Sequence, residues 1–180
     1  MTNVFYKNRG SKTTRNKDIT AGLFSSISHA IYLVYGPEHQ AHIYSGGQDR
    51  RGKGARRTGT VRHDDYGAGG RAADIYVYNE TGDRLTGKQL APLVQYWLAS
   101  KLGGVGVEMG RGGVHVDEWA NPPSSKAGMF WYYKGTNRND YTQAVTDGRN
   151  GILPLLYQPP IQTPLTRLFS AIASIFRSNK

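Results

Sequence analysis

Cysteine is absent from this chain of 180 residues, and so is any long hydrophobic run. Without cysteine the protein can form neither disulfides nor thiolate metal ligands, so a metal site must use histidine and carboxylate side chains. No uninterrupted apolar stretch approaches the roughly 18 to 20 residues that a membrane-spanning helix needs, which predicts a soluble body. Residues 1–17 lack the apolar core of a secretory signal, so we expect a protein made without one.

Acidic residues are also scarce, with 13 Asp and Glu against 23 Lys and Arg and a formal net charge of +10. Such a charge favours an anionic partner: nucleic acid, anionic lipid or an acidic cell-wall polymer. Nucleic acid is disfavoured, because no aromatic-interleaved RNA motif or helix-turn-helix pattern is present. The positive charges concentrate in residues 1–17 and between Arg50 and Arg62. The second cluster is either a solvated loop or a basic rim that steers an anionic substrate.

The hydrophobic pattern predicts one α+β domain over residues 18–151, with a small antiparallel sheet flanked by helices. Residues 1–17 are basic and without periodicity, which predicts a disordered tail. Three helices are predicted: one over 19–35 capped by Asp18, one capped by Thr86 that ends near residue 102, and a short one beginning near residue 140. The predicted strands cover 39–44 and 74–79, and a hairpin follows with strands over 105–108 and 114–119. An aromatic run over 129–133 is a further strand candidate.

The chain changes character after residue 151. Four prolines lie in the stretch from Ile152 to Pro164, and they predict a linker or a strap packed on the domain over 152–164. Residues 165–180 place apolar side chains on one helical face beside basic ones. Such a basic amphipathic helix can bind an anionic membrane surface, dock onto the parent domain or self-associate.

Two histidines and one aspartate are candidate ligands of a metal ion. His63, Asp74 and His115 supply two imidazoles and one carboxylate, which is the protein ligand set of a catalytic zinc site with a fourth position left for water. Asp74 opens an alternating segment, and His115 lies on another, with Asp117 on the same strand face. The sequence therefore predicts a Zn²⁺ centre at these three residues.

Around these residues the chain resembles the zinc D-alanyl-D-alanine carboxypeptidase and phage endolysin family, whose fold is shared with the hedgehog signalling domain. The motif from Gly70 to Asp74 matches the family's Gly-x-Ala-x-Asp pattern, and the segment from Gly103 to Asp117 resembles the hairpin that carries the last ligand. Tyr44 to Gln48 resembles the strand and turn that open the site. The likeness spans roughly residues 19 to 135. His63 and Asp74 are further apart than in the family, with residues 66–69 as the apparent insertion.

The resemblance implies a zinc metallopeptidase that cuts peptide bonds of bacterial peptidoglycan at or near D-alanine, as a carboxypeptidase or an endopeptidase. Small size and positive charge suit a phage lysis enzyme, made in the cytoplasm of an infected host and acting on the wall after membrane permeabilisation. The alternatives are a non-catalytic zinc-binding member of the same fold and a basic nucleic-acid-binding protein.

Metal-assisted amide hydrolysis also needs a carboxylate that takes the proton from water and passes it on. Asp117 is the favoured candidate because it shares a strand face with His115, and it could instead support a ligating histidine. Glu108 is the second candidate, and the register of the hairpin loop decides which face it lies on. Arg62 and Gln48 are weaker candidates for contacting the substrate.

Overall fold

The computed structural model describes residues 3–7, 17–49, 61–65, 67–118 and 129–159, and the statements below concern these residues. Six strands occur among them: β1 (Val4–Tyr6), β2 (Gln40–Ser45), β3 (Ala72–Tyr78), β4 (Val105–Met109), β5 (Gly113–Asp117) and β6 (Phe130–Tyr132). The same residues contain three α-helices: α1 (Ala21–Tyr35), α2 (Ala91–Ala99) and α3 (Thr142–Arg149).

The described strands form one mixed sheet in the order β1-β2-β3-β5-β4-β6. The four central strands pair antiparallel, as predicted, but β1 runs parallel to β2 and β6 runs parallel to β4. The α+β class is therefore confirmed, and the prediction of an antiparallel sheet is wrong at both edges. Each parallel edge strand pairs with a strand that is far from it in the sequence, so no local turn signal predicts the pairing.

The prediction of disorder over residues 1–17 is wrong for Val4–Tyr6. The backbone carbonyl of Asn3 accepts a hydrogen bond from Ala41 N at 2.8 Å, and Lys7 N donates to Ile43 O at 2.9 Å. Val4 is only 3% exposed, in the core. A strand of three residues is too short to show a period in the sequence, so its pairing with β2 could not be inferred.

Helix α1 begins later than predicted and has a different cap. Thr20 is the N-cap, and its hydroxyl accepts a hydrogen bond from Leu23 N at 3.1 Å. Asp18 instead belongs to an extended segment, where its carbonyl accepts a hydrogen bond from Gly70 N at 2.9 Å. The buried stripe of α1 follows helical spacing and contains Leu23, Ile27, Ala30, Ile31 and Val34.

The predicted second helix is divided. Thr86 and Gln89 form a capping box around a 3-10 turn, Gly87–Leu90, and α2 starts with Pro92 in its first turn. The helix ends at Ala99, before Lys101 adopts a positive φ of 53°. The hydrophobic side of α2 packs on the sheet and buries Trp97, which is 1% exposed.

Alternation along β3 gives the sheet two different faces. Ala73, Ile75 and Val77 are buried in the core together with residues of α1 and α2. Asp74, Tyr76 and Tyr78 point to the other face, because successive strand residues alternate in direction. The candidate functional residues therefore lie on the face opposite the hydrophobic core.

Residues 152–159 run along the helices as a strap. Tyr157 N donates to Leu33 O at 2.7 Å, and the side chain of Gln95 donates to Ile152 O at 3.0 Å. The predicted amphipathic helix over 165–180 lies outside the described residues. Within the described ranges, no helix combines the length and the apolar character needed to cross a bilayer.

Candidate metal centre

The pairing of β3 with β5 brings two of the predicted ligands together. Asp74 and His115 are register partners, so their side chains leave the sheet side by side on the same face. The flanking residues Ala73 and Val116 point into the core and fix this register, since a shift of one residue would expose them. Two of the three ligand positions thus rest on the most regular part of the fold.

His63 reaches the same place from a 3-10 turn, Val61–His63, that is bonded to the end of β2. The backbone carbonyl of His63 accepts a hydrogen bond from Gln48 N at 2.8 Å, and Asp65 N donates to Gln48 O at 2.8 Å. The Nδ1 atom of His63 lies 2.9 Å from the Gly46 carbonyl and donates to it. This bond turns the Nε2 atom toward Asp74.

The apparent insertion before Asp74 is closed at its base. Asp65 forms a bridge with Gly70, and its carboxylate accepts hydrogen bonds from Gly67 N at 2.7 Å and Gly69 N at 3.0 Å. Gly69 has a φ of +100°, a conformation that side-chain-bearing residues rarely adopt. The extra residues therefore loop out without separating His63 from Asp74.

The three side chains can hold a metal ion. One ligand atom from each of His63, Asp74 and His115 lies within 4.8 Å of the other two. Asp74 Oδ1 is 3.4 Å from His63 Nε2 and 2.8 Å from His115 Nδ1. Tetrahedral zinc with bonds of about 2.0 to 2.1 Å separates its ligand atoms by about 3.3 to 3.4 Å. The His63–Asp74 distance fits this geometry, and the His115–Asp74 contact would need to lengthen by about half an ångström.

The second nitrogens of the two histidines differ in their contacts. His63 Nδ1 is bonded to the Gly46 carbonyl, whereas His115 Nε2 lies 3.5 Å from Asp117 Oδ2 and forms no well-made hydrogen bond within the described residues. Metal-ligating histidines commonly give their other N–H to a carbonyl or a carboxylate, which fixes the tautomer and the ring orientation. His63 is therefore oriented in this way, and His115 faces a carboxylate that would accept its N–H after a small shift.

The charges of the centre also favour a cation. Burial alone would raise the pKa of Asp74, but hydrogen bonds from His115 and His63 hold it well below the ordinary value. Burial likewise opposes ionisation of Asp117, but bonds from His115 and Gly104 and the charge of Arg62 lower its pKa. Among the described residues, Asp74 and Asp117 therefore carry two negative charges and Arg62 carries one positive charge. The centre has an excess negative charge when the imidazoles of His63 and His115 are neutral.

The pKa of His115 is raised, although its burial acts in the opposite direction. Burial disfavours the imidazolium, but hydrogen bonding and attraction to Asp117 and Asp74 outweigh it. Without metal, the Nδ1 proton of His115 is donated to Asp74 across the 2.8 Å contact. A metal ion at the centre would have to displace that proton.

Trp131 and Tyr133 border the centre, and the sequence analysis did not identify them. The indole of Trp131 lies 5.1 Å from the His115 ring, measured between centroids, and the Arg62 guanidinium lies 4.6 Å from the indole. A side chain at Gly106 would overlap this indole, so the glycine makes room for it. Gly104, just before β4, and Gly106 within it were the available signal, because glycine in or next to a strand often marks a close approach.

Glu108 does not reach the centre, so its assignment as a candidate base is wrong. It lies in a bulge of β4 with a φ of +66°. Its carboxylate accepts hydrogen bonds from Gly87 N at 2.6 Å, Gly112 N at 2.9 Å and the Tyr141 hydroxyl at 2.6 Å. Tyr141 is fully buried in the core, on the opposite side of the sheet from His115. Glu108 therefore stabilises the hairpin.

Asp117 is beside the centre but is fully enclosed. Its side chain is 0% exposed, Oδ1 accepts a hydrogen bond from Gly104 N at 2.7 Å, and Oδ2 pairs with Arg62. With both oxygens occupied and no exposed surface, Asp117 is poorly placed to take a proton from water. Its position instead matches the supporting role that the sequence left as the alternative, orienting His115.

Arg62 and Gln48 are also inside the protein, not at a substrate-facing rim. Arg62 is 8% exposed and donates hydrogen bonds to Asp117 and to Met129 Sδ, the latter at 3.0 Å. Gln48 is 3% exposed, and its side-chain amide donates to Ser45 Oγ at 3.0 Å. These contacts make both residues supports of the centre, in place of the substrate contacts that were predicted.

Comparisons of this chain with protein-family models, with curated proteins and with solved structures find no match. The resemblance to zinc carboxypeptidases therefore stays a prediction. The metal-binding interpretation depends on the geometry of His63, Asp74 and His115 alone.

Proposed function

We propose that the protein is a zinc-dependent hydrolase that cuts peptide bonds of bacterial peptidoglycan. The observation that carries this proposal is the convergence of His63, Asp74 and His115 on one point, with the second nitrogen of His63 bonded to a carbonyl and that of His115 facing Asp117. A constellation prepared in this way is costly to maintain for structure alone, since it gathers buried polar groups around a space suited to a cation.

Zinc is the metal that this ligand set favours. Two imidazole nitrogens and one carboxylate oxygen form a common catalytic zinc set, and hard cations such as Ca²⁺ and Mg²⁺ prefer oxygen ligands only. When bound, zinc would polarise an amide carbonyl and lower the pKa of a neighbouring water. Three protein ligands leave positions for both of these groups.

The surrounding residues would hold and orient the reacting groups. Of the three ligand side chains, Asp74 is the most open at 13% exposure, so substrate would approach from its side. Burial raises the pKa of Tyr133 and the charge of Asp74 raises it further, whereas a hydrogen bond with Trp131 and the charge of Arg62 act in the opposite direction without cancelling the rise. Tyr133 is therefore a protonated phenol at neutral pH, able to donate a hydrogen bond to charge that develops on a carbonyl oxygen.

Support for peptidoglycan as the substrate comes from sequence. The Gly70–Asp74 motif resembles the wall-peptide carboxypeptidases, and the net charge of +10 suits approach to an anionic cell wall. We extend the proposal to a phage lysis enzyme, with residues 165–180 contacting anionic membrane. A non-catalytic zinc-binding role is the second candidate. It is favoured by the burial of Asp117 and by the hydrogen bond that ties the Glu108 carboxylate to Tyr141, away from the centre.

The test combines metal analysis with hydrolysis of purified cell walls. We expect one zinc per chain, release of new amino termini from peptidoglycan, loss of release with a chelator, and recovery on adding zinc. The matched control is His29→Ala, a histidine on α1 away from the centre. Zinc binding without release of amino groups would favour the non-catalytic role, and absence of zinc would reject both candidates.

A further inference from the structure

Five aromatic rings form a continuous strip on β1, β2 and β3, on the sheet face that no described helix covers. Neighbouring rings touch in sequence: Phe5 and His42 at 5.7 Å, His42 and Tyr78 at 4.4 Å, and Tyr44 and Tyr76 at 4.6 Å, all between centroids. The hydroxyls of Tyr44 and Tyr78 lie 3.3 Å apart and join the two halves. We call these residues the aromatic strip.

The aromatic strip begins beside the candidate metal centre. Tyr76 and Tyr78 follow Asp74 at two-residue intervals on the same face of β3. At about 3.3 Å per residue, the backbone of Tyr78 lies roughly 13 Å from that of Asp74. Tyr76 is also the register partner of Gly113, which is two residues from His115. A ligand extended along the strip would therefore reach the centre at one end.

The far end of the strip has the form of a binding site. Tyr44 and Tyr78 line a depression of about 250 Å³ whose edge carries Gln40, Asn79, Lys7 and Glu80. Tyr44 is 37% exposed and Phe5 is 41% exposed. An exposed aromatic floor with a few polar groups at its edge is typical of ligand sites, because water would otherwise be left against apolar surface.

The charges near the strip do not favour a polyanion. Lys7 and Glu80 both line the depression, so their opposite charges offset each other. The guanidinium of Arg84 lies 4.7 Å from the Tyr76 ring, and the next basic residue in the sequence is Lys88. Burial and nearby Lys7 both lower the pKa of His42, so its ring is neutral at pH 7. Within the part of the chain that the structure describes, the strip thus carries little net charge, although the whole chain has a net charge of +10.

A carbohydrate fits these features. The C–H faces of a pyranose pack against aromatic rings, and its hydroxyl and amide groups pair with neutral donors and acceptors such as Gln40, Asn79 and the tyrosine hydroxyls. Neighbouring rings lie nearly perpendicular to each other, at 89° for Phe5 and His42 and 84° for Tyr44 and Tyr76, so successive sugars would meet ring faces and ring edges in turn. A lipid surface would instead call for a surplus of cations beside the apolar side chains.

We propose that the aromatic strip binds the glycan of its substrate, a chain of β-linked N-acetylhexosamines, and so presents an attached peptide to the metal centre. This inference rests on the proposed function, because it takes the peptide to be the group that is cleaved. Its geometry requires only that the peptide bridge the distance between Tyr76 and Asp74, which are two residues apart on one strand.

The test measures binding of the β-1,4-linked N-acetylglucosamine tetramer, which contains no peptide bond, to the full-length protein as purified. We expect saturable binding by calorimetry and amide shifts in two-dimensional NMR that cluster on β2 and β3. Replacing Tyr44 and Tyr78 together by alanine should weaken binding at least about tenfold, whereas replacing both by phenylalanine should retain most of it. Tyr32→Ala, an exposed tyrosine on α1 at 42% exposure, is the matched control and should bind as the wild type does.

Absence of saturable binding by the wild type, or equal binding by the double alanine variant, would overturn the inference. Dimerisation that the double alanine variant abolishes would assign the strip to a second copy of the chain and would also overturn it. The NMR shifts keep the test decisive if that variant does not fold. A protein that binds the tetramer but cleaves no wall keeps the glycan site and loses both the proposed function and the presentation of a peptide to the centre. A protein that cleaves walls but does not bind the tetramer keeps the proposed function and loses this inference.

Discussion

The guanidinium of Arg62 is bonded to the carboxylate of Asp117 inside the protein, where their side chains are 10% and 0% exposed. The same carboxylate oxygen lies 3.5 Å from His115 Nε2. Arg62 can therefore act on the metal centre without touching a metal or a substrate, by holding the group that orients His115. It is a positioning residue in this arrangement.

Replacing Arg62 by methionine should destabilise the protein and weaken metal binding together. The change leaves the Asp117 carboxylate buried without its partner, which typically costs about 3 to 5 kcal/mol of unfolding free energy. Disturbing the support of a ligating histidine typically costs about 10- to 100-fold in metal affinity. Denaturant unfolding and competition with a zinc-binding dye measure the two effects.

The matched control is Arg71→Met. Arg71 is bonded to Glu118 at 3.3 Å, but its side chain is 37% exposed, so its loss should cost less than about 1 kcal/mol. Adding Asp117→Asn to Arg62→Met removes the stranded charge and should restore part of the lost stability. If Arg62→Met and Arg71→Met prove equally mild, the buried pair does not support the centre.

His115→Ala should lose zinc while the protein stays largely folded. His115 provides the only ligand atom from β5, and two remaining ligands hold zinc much less tightly than three. The residues next to His115, Val114 and Val116, carry the core packing of that strand and are unchanged. Elemental analysis after gel filtration gives the metal content, and circular dichroism checks the fold. One zinc per chain in this variant would show that the ligand assignment is wrong.

Glu108→Gln should lower stability without changing the metal centre. The carboxylate accepts hydrogen bonds from two backbone amides and the Tyr141 hydroxyl, and an amide side chain accepts them less strongly and leaves one donor misplaced. We expect a loss of roughly 1 to 3 kcal/mol. Zinc content and the rate of wall hydrolysis per folded molecule should match the wild type. A fall in rate of about 10² or more with stability unchanged would restore Glu108 as the base.

The sequence predicted well which residues converge, because local alternation determines which face a strand residue occupies. Asp74 and His115 each lie in a period-two pattern, and the buried neighbours of each fix the register between β3 and β5. The bulge at Glu108 could not be predicted in this way, because an extra residue in β4 reverses the face of everything on one side of it.

The supports of the centre were harder to infer, since they come from distant parts of the chain. Arg62 pairs with Asp117 across 55 residues, and Trp131 enters from β6, a short strand with only the glycines of β4 as a signal. An arginine in a basic cluster is ordinarily a solvated residue. Only the tertiary contacts show that this one is buried.

Zinc binding should release a proton when it is measured in mildly acidic solution. The pKa of His115 lies above its ordinary value of 6.5, so at pH 6.5 more than half of the molecules carry the imidazolium, whose Nδ1 proton zinc displaces.

In metal-free protein, the stabilisation from the imidazolium is fully present below about pH 6.5 and is lost as pH rises through the raised pKa. The lowered pKa of Asp74 acts in the other direction: its contribution is present above about pH 4 and is lost as pH falls. Metal-free protein should thus be most stable between these limits, and the stabilisation added by zinc should grow as pH rises. Calorimetric titration at pH 6.5 in two buffers of different ionisation enthalpy measures the proton release, and thermal unfolding with zinc or a chelator measures the stability. Equal binding enthalpies in the two buffers would contradict the displacement of a proton from His115.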